Sequence, residues 1–290
     1  MNEPAIQVRD AARAWERKET LDEPSRWITR PRWYLWDGGF LLLGRSAGVV
    51  PPHAHHAIQI VIAIEGDLLV SGEHEEWQSG RGLIVMPDVT HRFNANGALG
   101  AMLFVDPESV EGAWLRTAVA REITLIPETR CVAAAAQLRA FLERPLEAME
   151  IGSLIRFCVD TLCAGAPPAR HLDERVTRVL DQIRGSNDLR ISLETAAASA
   201  FLSPSRFQHL FKQQVGLPFR RYMLWRKLTR AMLAIGRERT VTAAAQLSDF
   251  ADAAHLTRTF SQMFGITPSA LMQGDLYVIS SPFELDEQAA

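Results

Sequence analysis

Two stretches of this chain follow one pattern. "LSPSRFQHLFKQQVG", from Leu202, and "FADAAHLTRTFSQMFGITP", from Phe250, align at a constant offset of 49 residues, setting Phe207 against Leu256, Phe211 against Phe260 and Gly216 against Gly265. Apolar residues at three- and four-residue steps, closed by a glycine, spell a short amphipathic helix with a left-handed end. Each copy also carries its own start signal. Ser203-Pro204 offers a capping hydroxyl and a proline at the first helical position, and Asp252 caps the second copy. Leu193, Ala197 and Ala198 mark a supporting helix before the first copy, and Val241, Ala244, Ala245 and Leu247 before the second. Thr267-Pro268 starts a further helix. Two helices joined by a tight turn, encoded twice, predict two helix-turn-helix motifs.

The polar faces point to a polyanion. With Phe207, Leu210, Phe211 and Val215 turned inward, Ser205, Arg206, Gln208, His209 and Lys212 remain for base edges or phosphates, and none of them is acidic. In the second copy Thr257, Arg258 and Ser261 stay outside. Between the copies "PFRRYMLWRKLTRAMLAI", 218–235, reads as one basic helix, about 27 Å long at 1.5 Å per residue. That length could hold two reading helices near the ~34 Å separation of successive major-groove faces. Charge follows the same division: residues 170–274 carry 15 Lys and Arg against 8 Asp and Glu, a net of +7, which leaves −10 for the rest.

Residues 171–274 resemble the DNA-binding domain of the AraC-type transcription regulators. The resemblance rests on both repeats, and above all on Phe250, Asp252, His255, Leu256, Arg258, Phe260, Gly265, Thr267 and Pro268. It implies base contacts by Ser205, Gln208 and His209 in the first copy and by Ala253, Ala254, Thr257 and Arg258 in the second. It also implies double-stranded promoter DNA and RNA polymerase as partners. Asp249 departs from the pattern, standing where a turn glycine is usual. Ala253 and Ala254 offer no hydrogen bond, so the second helix is expected to anchor phosphates more than to read sequence, apart from Arg258.

Ahead of this module, Trp33 to Phe104 has β texture, with short runs rich in Val, Ile, Leu and aromatics broken by Gly, Asp and Pro. "PPHAHHAIQIVIAIEG" supplies His53, His55 and Gln59, and "MPDVTHRFN" supplies His91. On an extended strand His53 and His55 face one way, and a later strand can bring in His91. Three imidazoles and an amide oxygen could hold a divalent transition metal. The segments resemble the cupin motifs, His53, His55, Gln59 and Gly66 for the first, and Gly82, Pro87, His91 and Asn94 for the second. The resemblance implies Zn, Fe, Ni or Mn as candidate ions. Gln59 stands where metal-binding cupins usually have Glu, so a metal-free effector pocket and purely structural histidines remain open. Trp77 and other aromatics could line such a pocket.

From 109 to 164 the pattern turns helical, with Ile151, Leu154, Ile155, Cys158 and Leu162 on one stripe. That stripe reads either as a homodimer contact or as packing against the barrel. The fold expected is α+β with two domains. An N-terminal extension (1–30) precedes a cupin-like β-barrel (31–108) with trailing helices (109–164). A Pro/Ala linker (165–170) leads to an all-α domain (171–274) whose two helix-turn-helix motifs are joined by a long helix, and a tail follows (275–290). Three cysteines at non-ligand spacing and no apolar leader fit the cytoplasm, and no apolar run is long enough for a membrane. The function expected is a DNA-binding transcription regulator, not an enzyme, whose barrel senses a small molecule or metal. The alternative is a metal-dependent cupin enzyme, a dioxygenase or isomerase.

Overall fold

The structure is a computed structural model that describes residues 23–163, 172–186 and 188–279. The linker 165–170, most of the N-terminal extension and the end of the tail lie outside the described residues. The described strands are β1 (Arg26–Trp27), β2 (Arg32–Trp36), β3 (Gly39–Ala47), β4 (Val49–His53), β5 (Ile58–Glu65), β6 (Leu68–Gly72), β7 (Gln78–Gly80), β8 (Gly82–Val85), β9 (His91–Asn94), β10 (Leu99–Val105), β11 (Ile123–Leu125) and β12 (Asp275–Val278). The helices are α1 (Val110–Ala118), α2 (Glu128–Ala140), α3 (Ala148–Leu162), α4 (Glu174–Gly185), α5 (Leu193–Ser199), α6 (Pro204–Val215), α7 (Phe219–Glu238), α8 (Val241–Leu247), α9 (Ala253–Phe264) and α10 (Pro268–Met272).

The N-terminal strands form two sheets. One runs β11-β8-β5-β10-β3-β2-β12, with β1 on β3, and the other runs β4-β9-β6-β7. β5, "IQIVIAIE", is apolar without alternation because both of its faces are covered. Val61 and Ala63 meet Val70 and Phe93 between the sheets. Ile58, Ile60, Ile62 and Ile64 meet α2 and α3 outside.

This packing corrects the dimer reading of α3. Ile151, Leu154, Ile155 and Cys158 are buried in one core with the β5 isoleucines, Leu162 packs on its margin, and the stripe is spent on the barrel. Fully burying one such side chain contributes about 1.5–3 kcal/mol, which a dimer face would have to match elsewhere.

The helical half has two cores. The first helix-turn-helix closes on itself: Val176, Leu180, Phe207, Phe211, Phe219 and Tyr222 belong to one cluster. The second does not. Leu256, Phe260 and Phe264 of α9 share a cluster with Trp225, Met232 and Ile235 of α7 and with Trp33, Leu35, Phe40 and Phe104 of the barrel. The connecting helix therefore serves as packing surface along its whole length. It runs 20 residues, from Phe219 to Glu238. Arg226, at 3% exposure, turns into the interface and donates to Asp37 at 2.8 Å.

The chain after α10 returns to the barrel. β12 lies parallel to β2, and Tyr277 stacks on Tyr34 with ring centroids 5.0 Å apart. The tail that lacked a role in the sequence thus contributes an edge strand to the larger sheet.

Candidate functional site

The capping chemistry places both reading helices. Ser203 Oγ accepts from the Arg206 amide at 3.4 Å, and Asp252 Oδ1 accepts from the His255 amide at 2.6 Å. Gly216 and Gly265 end α6 and α9 at φ of 101° and 68°. Asp249 takes the left-handed turn at φ 58°, so an aspartate fills the place of the usual glycine. On α6, Ser205, Arg206, Gln208, His209 and Lys212 are all exposed. On α9, Ala254 and Arg258 are exposed, while Ala253 and Thr257 are half-buried. Thr257 Oγ1 already donates to the Ala253 carbonyl at 2.7 Å, which makes it a poor base reader. His255 and Gln262 are also exposed on α9 and were missing from the sequence-derived set. The His255 ring meets Phe250 edge-on at 5.2 Å.

The second candidate site lies in the barrel. His53 on β4 and His91 on β9 are cross-strand partners, and their rings sit 4.2 Å apart. His55 follows the end of β4 rather than lying on it, so strand alternation does not place it. Its Nδ1 donates to the Ala57 carbonyl at 2.8 Å, and that bond aims the ring. Gln59 arrives on β5, from the other sheet. One ring nitrogen from each of the three histidines lies within 4.8 Å of the other two, and all three residues are buried.

Proton bookkeeping constrains this cluster. Burial, reinforced by neighbouring imidazoles, holds His53 down to about 3 and His91 down to about 2, and burial also lowers His55. Each ring is therefore neutral and carries one proton. Yet His55 faces two acceptors, the Ala57 carbonyl at 2.8 Å and Gln59 Oε1 at 2.9 Å. His91 likewise faces the Val89 carbonyl at 2.9 Å and Gln59 Oε1 at 3.0 Å. One proton cannot serve two acceptors. Either the Gln59 amide turns its NH2 toward both rings, or a cation lies among the lone pairs.

A small apolar pocket reaches from His53 and Gln59 to the second helix-turn-helix. Its wall combines Trp33, Phe40 and Phe104 of the barrel with Met232, Phe260 and Phe264. Trp77 is not part of it; that ring lies under Arg92 at 4.9 Å. The contact between the two sites is close. A Cβ built on Gly265 would fall 2.4 Å from Val50 Cγ1 and 3.0 Å from His53 Nδ1.

His56 behaves in the opposite way to its neighbours. Burial works against its charge, but Glu108 and Asp88 outweigh that and carry it up to about 9. The ring donates to Asp88 at 3.3 Å and to Glu108 at 3.1 Å, and it meets Tyr222 and Trp225 of α7 edge-on. Together with Arg226–Asp37, in which the arginine is buried and the aspartate exposed, this forms an ionic seam between the domains. Arg226 carried a signal in the sequence, since it shares the apolar stripe of Tyr222, Trp225 and Thr229.

Residues 196–274 match the family model of a helix-turn-helix domain. The probable transcriptional regulator LumQ of Photobacterium leiognathi is 30% identical over 99 residues, which cover 33% of this chain and 40% of that protein. Among solved structures, apo ToxT from Vibrio cholerae superposes with a TM-score of 0.55 at 8% identity, over 78% of this chain and 93% of that one. ToxT bound to (E)-4-(8-methylnaphthalen-1-yl)but-3-enoic acid gives 0.51 at 7% identity, over 87% and 98%. At such identities the likeness speaks for the fold alone. No helix among the described residues is long and apolar enough to cross a membrane. Residues 196–274 are a helix-turn-helix domain, set behind an N-terminal β-rich domain in the two-domain fold that ToxT also has.

Proposed function

We propose that the protein is a DNA-binding transcription regulator of the AraC type whose β-rich domain binds an effector. The observation that carries this reading is the pair of capped helix-turn-helix motifs, whose first reading helix presents Ser205, Arg206, Gln208, His209 and Lys212 to solvent. Arg258 and Ala254 are exposed on the second together with His255 and Gln262, with Ala253 and Thr257 half-buried beside them. Promoter DNA is the partner, and the protein acts where that DNA is, in the cytoplasm. RNA polymerase is a further partner by resemblance. A second copy, if recruited, must use a face other than the α3 stripe.

The barrel cluster fits a divalent transition metal, held by His53, His55, His91 and the Gln59 oxygen. The fit rests on the converging lone pairs, with each Nδ1 tied to a backbone carbonyl. Such an ion would supply a Lewis-acidic anchor at the polar end of the apolar pocket. The ToxT complex with an aryl-alkenoic acid supports reading that pocket as an effector site. The enzyme alternative has less support, because no carboxylate among the described residues joins the cluster and a reading helix forms part of the pocket wall.

Footprinting with the purified chain on genomic fragments tests the reading. Protection of two neighbouring half-sites, about one helical turn apart, is expected. Sequence-independent binding, or none, would refute it.

A further inference from the structure

The two helix-turn-helix motifs have separate cores and share one connecting helix. A helix alone is a loose ruler. Over the 20 residues of α7, about 30 Å, curvature with a radius of about 100 Å displaces the far end by about 4.5 Å. A radius of about 60 Å displaces it by about 7.5 Å. The difference is close to the ~3.4 Å rise of one base pair. Holding two reading helices at one spacing therefore takes a second link. The segment between α4 and α5 supplies it. Leu189 is buried in the first core, which fixes the backbone beside it. Arg190 Nε then donates to Asp249 Oδ1 in the turn of the second motif at 2.7 Å. Asp249 is equally well anchored. Phe250 and Ser248 on either side of it are buried, and its carbonyl accepts from Lys227 Nζ of α7 at 3.1 Å. Arg230 of α7 holds the near end of the segment, donating to the Ser186 carbonyl at 2.7 Å, and the Arg190 amide donates to Asp188 Oδ1 at 2.8 Å.

We infer that Asp249 is a positioning residue: bonded to Arg190, it holds the second reading helix at one distance and twist from the first, and so sets the operator spacing that the protein accepts. This rests on the proposed DNA-binding reading. Energetics separate the role from a folding role. Arg190 is largely exposed, and pairs of that kind add little to the stability of a chain. Yet the two ends of this pair adjoin buried anchors in opposite cores, Leu189 in one and Phe250 in the other. Closing it restrains two bodies rather than two loose side chains. The turn itself does not ask for aspartate. At φ 58° glycine is the relaxed choice and keeps the fold, but it offers Arg190 nothing. In the first motif the left-handed turn residue is Phe201, at φ 54°, and its ring lies under Arg178 of α4 at 5.4 Å. The two turns thus carry similar backbone strain, but the Phe201 contact stays within its own motif and the Asp249 contact crosses to the other.

The test uses the full chain and a duplex that it selects from a randomised pool, resynthesised with one base pair added to or removed from between the two half-sites. Gel shifts should show the unaltered chain binding the selected spacing at least about tenfold more tightly than either shifted duplex, because a misplaced motif loses base contacts. Asp249→Gly should cut that preference at least threefold while leaving the urea midpoint where it was. Phe201→Gly, which relieves the matching strain in the first turn, should keep the preference in full. An undiminished preference in Asp249→Gly overturns the inference, as does an equal loss in Phe201→Gly or an unaltered chain indifferent to spacing. In those three cases the regulator reading stands. If the pool yields no selected sequence, both fall.

Discussion

The two C-terminal cap glycines offer a matched experiment on the domain interface. Gly216 and Gly265 occupy the same place in the two repeats and both have left-handed backbones. Alanine at either site incurs the left-handed penalty of a side chain, about 1–2 kcal/mol. Their surroundings differ. A Cβ on Gly216 would meet only the tip of Arg116, at 3.7 Å, whereas one on Gly265 would run into Val50 at 2.4 Å and His53 at 3.0 Å. Neither neighbour yields easily: Val50 is β-branched and stiff, and the His53 ring is tied to the Pro51 carbonyl at 2.8 Å. Overpacking of this kind costs about 1–3 kcal/mol beyond the backbone term. Gly216, at φ 101°, is strained at least as much, so the comparison does not favour the expected result. Gly265→Ala should therefore destabilise the chain by about 1–3 kcal/mol more than Gly216→Ala in urea titrations followed by tryptophan fluorescence. Equal losses would mean that α9 does not rest on the barrel in solution, and the shared core of the second motif would be wrong.

Three further outcomes are expected. Arg206→Ala and Arg258→Ala should each weaken operator binding by about 1–3 kcal/mol at fixed salt if they read bases, while Lys212→Ala should lower the salt slope by about one, as gel shifts across a salt series would show. The histidine contribution to the metal-stripped protein should fall away on either side of about pH 6.5, the unfolded imidazole value. Below that value His53 and His91 must stay neutral to remain folded while the unfolded chain takes up protons, so at pH 4.5 the pair costs on the order of 5 kcal/mol. Above it His56, raised to about 9, progressively loses a contribution that was complete below its unfolded value. A urea midpoint that is flat between pH 4.5 and 6.5 would contradict the neutral cluster. Gln59→Glu should lower the melting temperature of the stripped chain by burying a carboxylate, and it should reach the ~2.7 kcal/mol stabilisation expected at a hundredfold excess over Kd with less added zinc. Thermal melts across a zinc titration would show both effects.

How far the sequence could be read depended on whether the physics was local. The reading helices were legible because Ser203, Pro204, Asp252, Gly216 and Gly265 act within a turn of their own positions, and amphipathic spacing did the rest. His53 and His91 were legible as a pair on strands. His55 reaches the cluster through its bond to Ala57 in a turn, so alternation gave the right company for the wrong reason. The α3 stripe shows the limit. An apolar face at helical spacing says that something covers it but not what, and only the outward isoleucines of β5 supply the answer, roughly ninety residues earlier in the chain.

Arg226 and β12 carry that argument to the assembled molecule. A charged residue on the apolar stripe of α7 is a local contradiction, and such contradictions arise where a partner arrives from far away in sequence. Here the partner is Asp37, 189 residues upstream. β12 closes the same loop from the other end, bonding to β2, the strand that leads to Asp37. The second motif is thereby held at three places: by Arg226 in α7, by Gly265 at the end of α9, and by the strand that follows α10. The first motif keeps its own core and lacks that last strand. Two repeats alike in pattern are thus unequal in mechanics: a signal originating in the barrel pocket meets α9 directly, whereas α6 contributes no residue to the pocket wall.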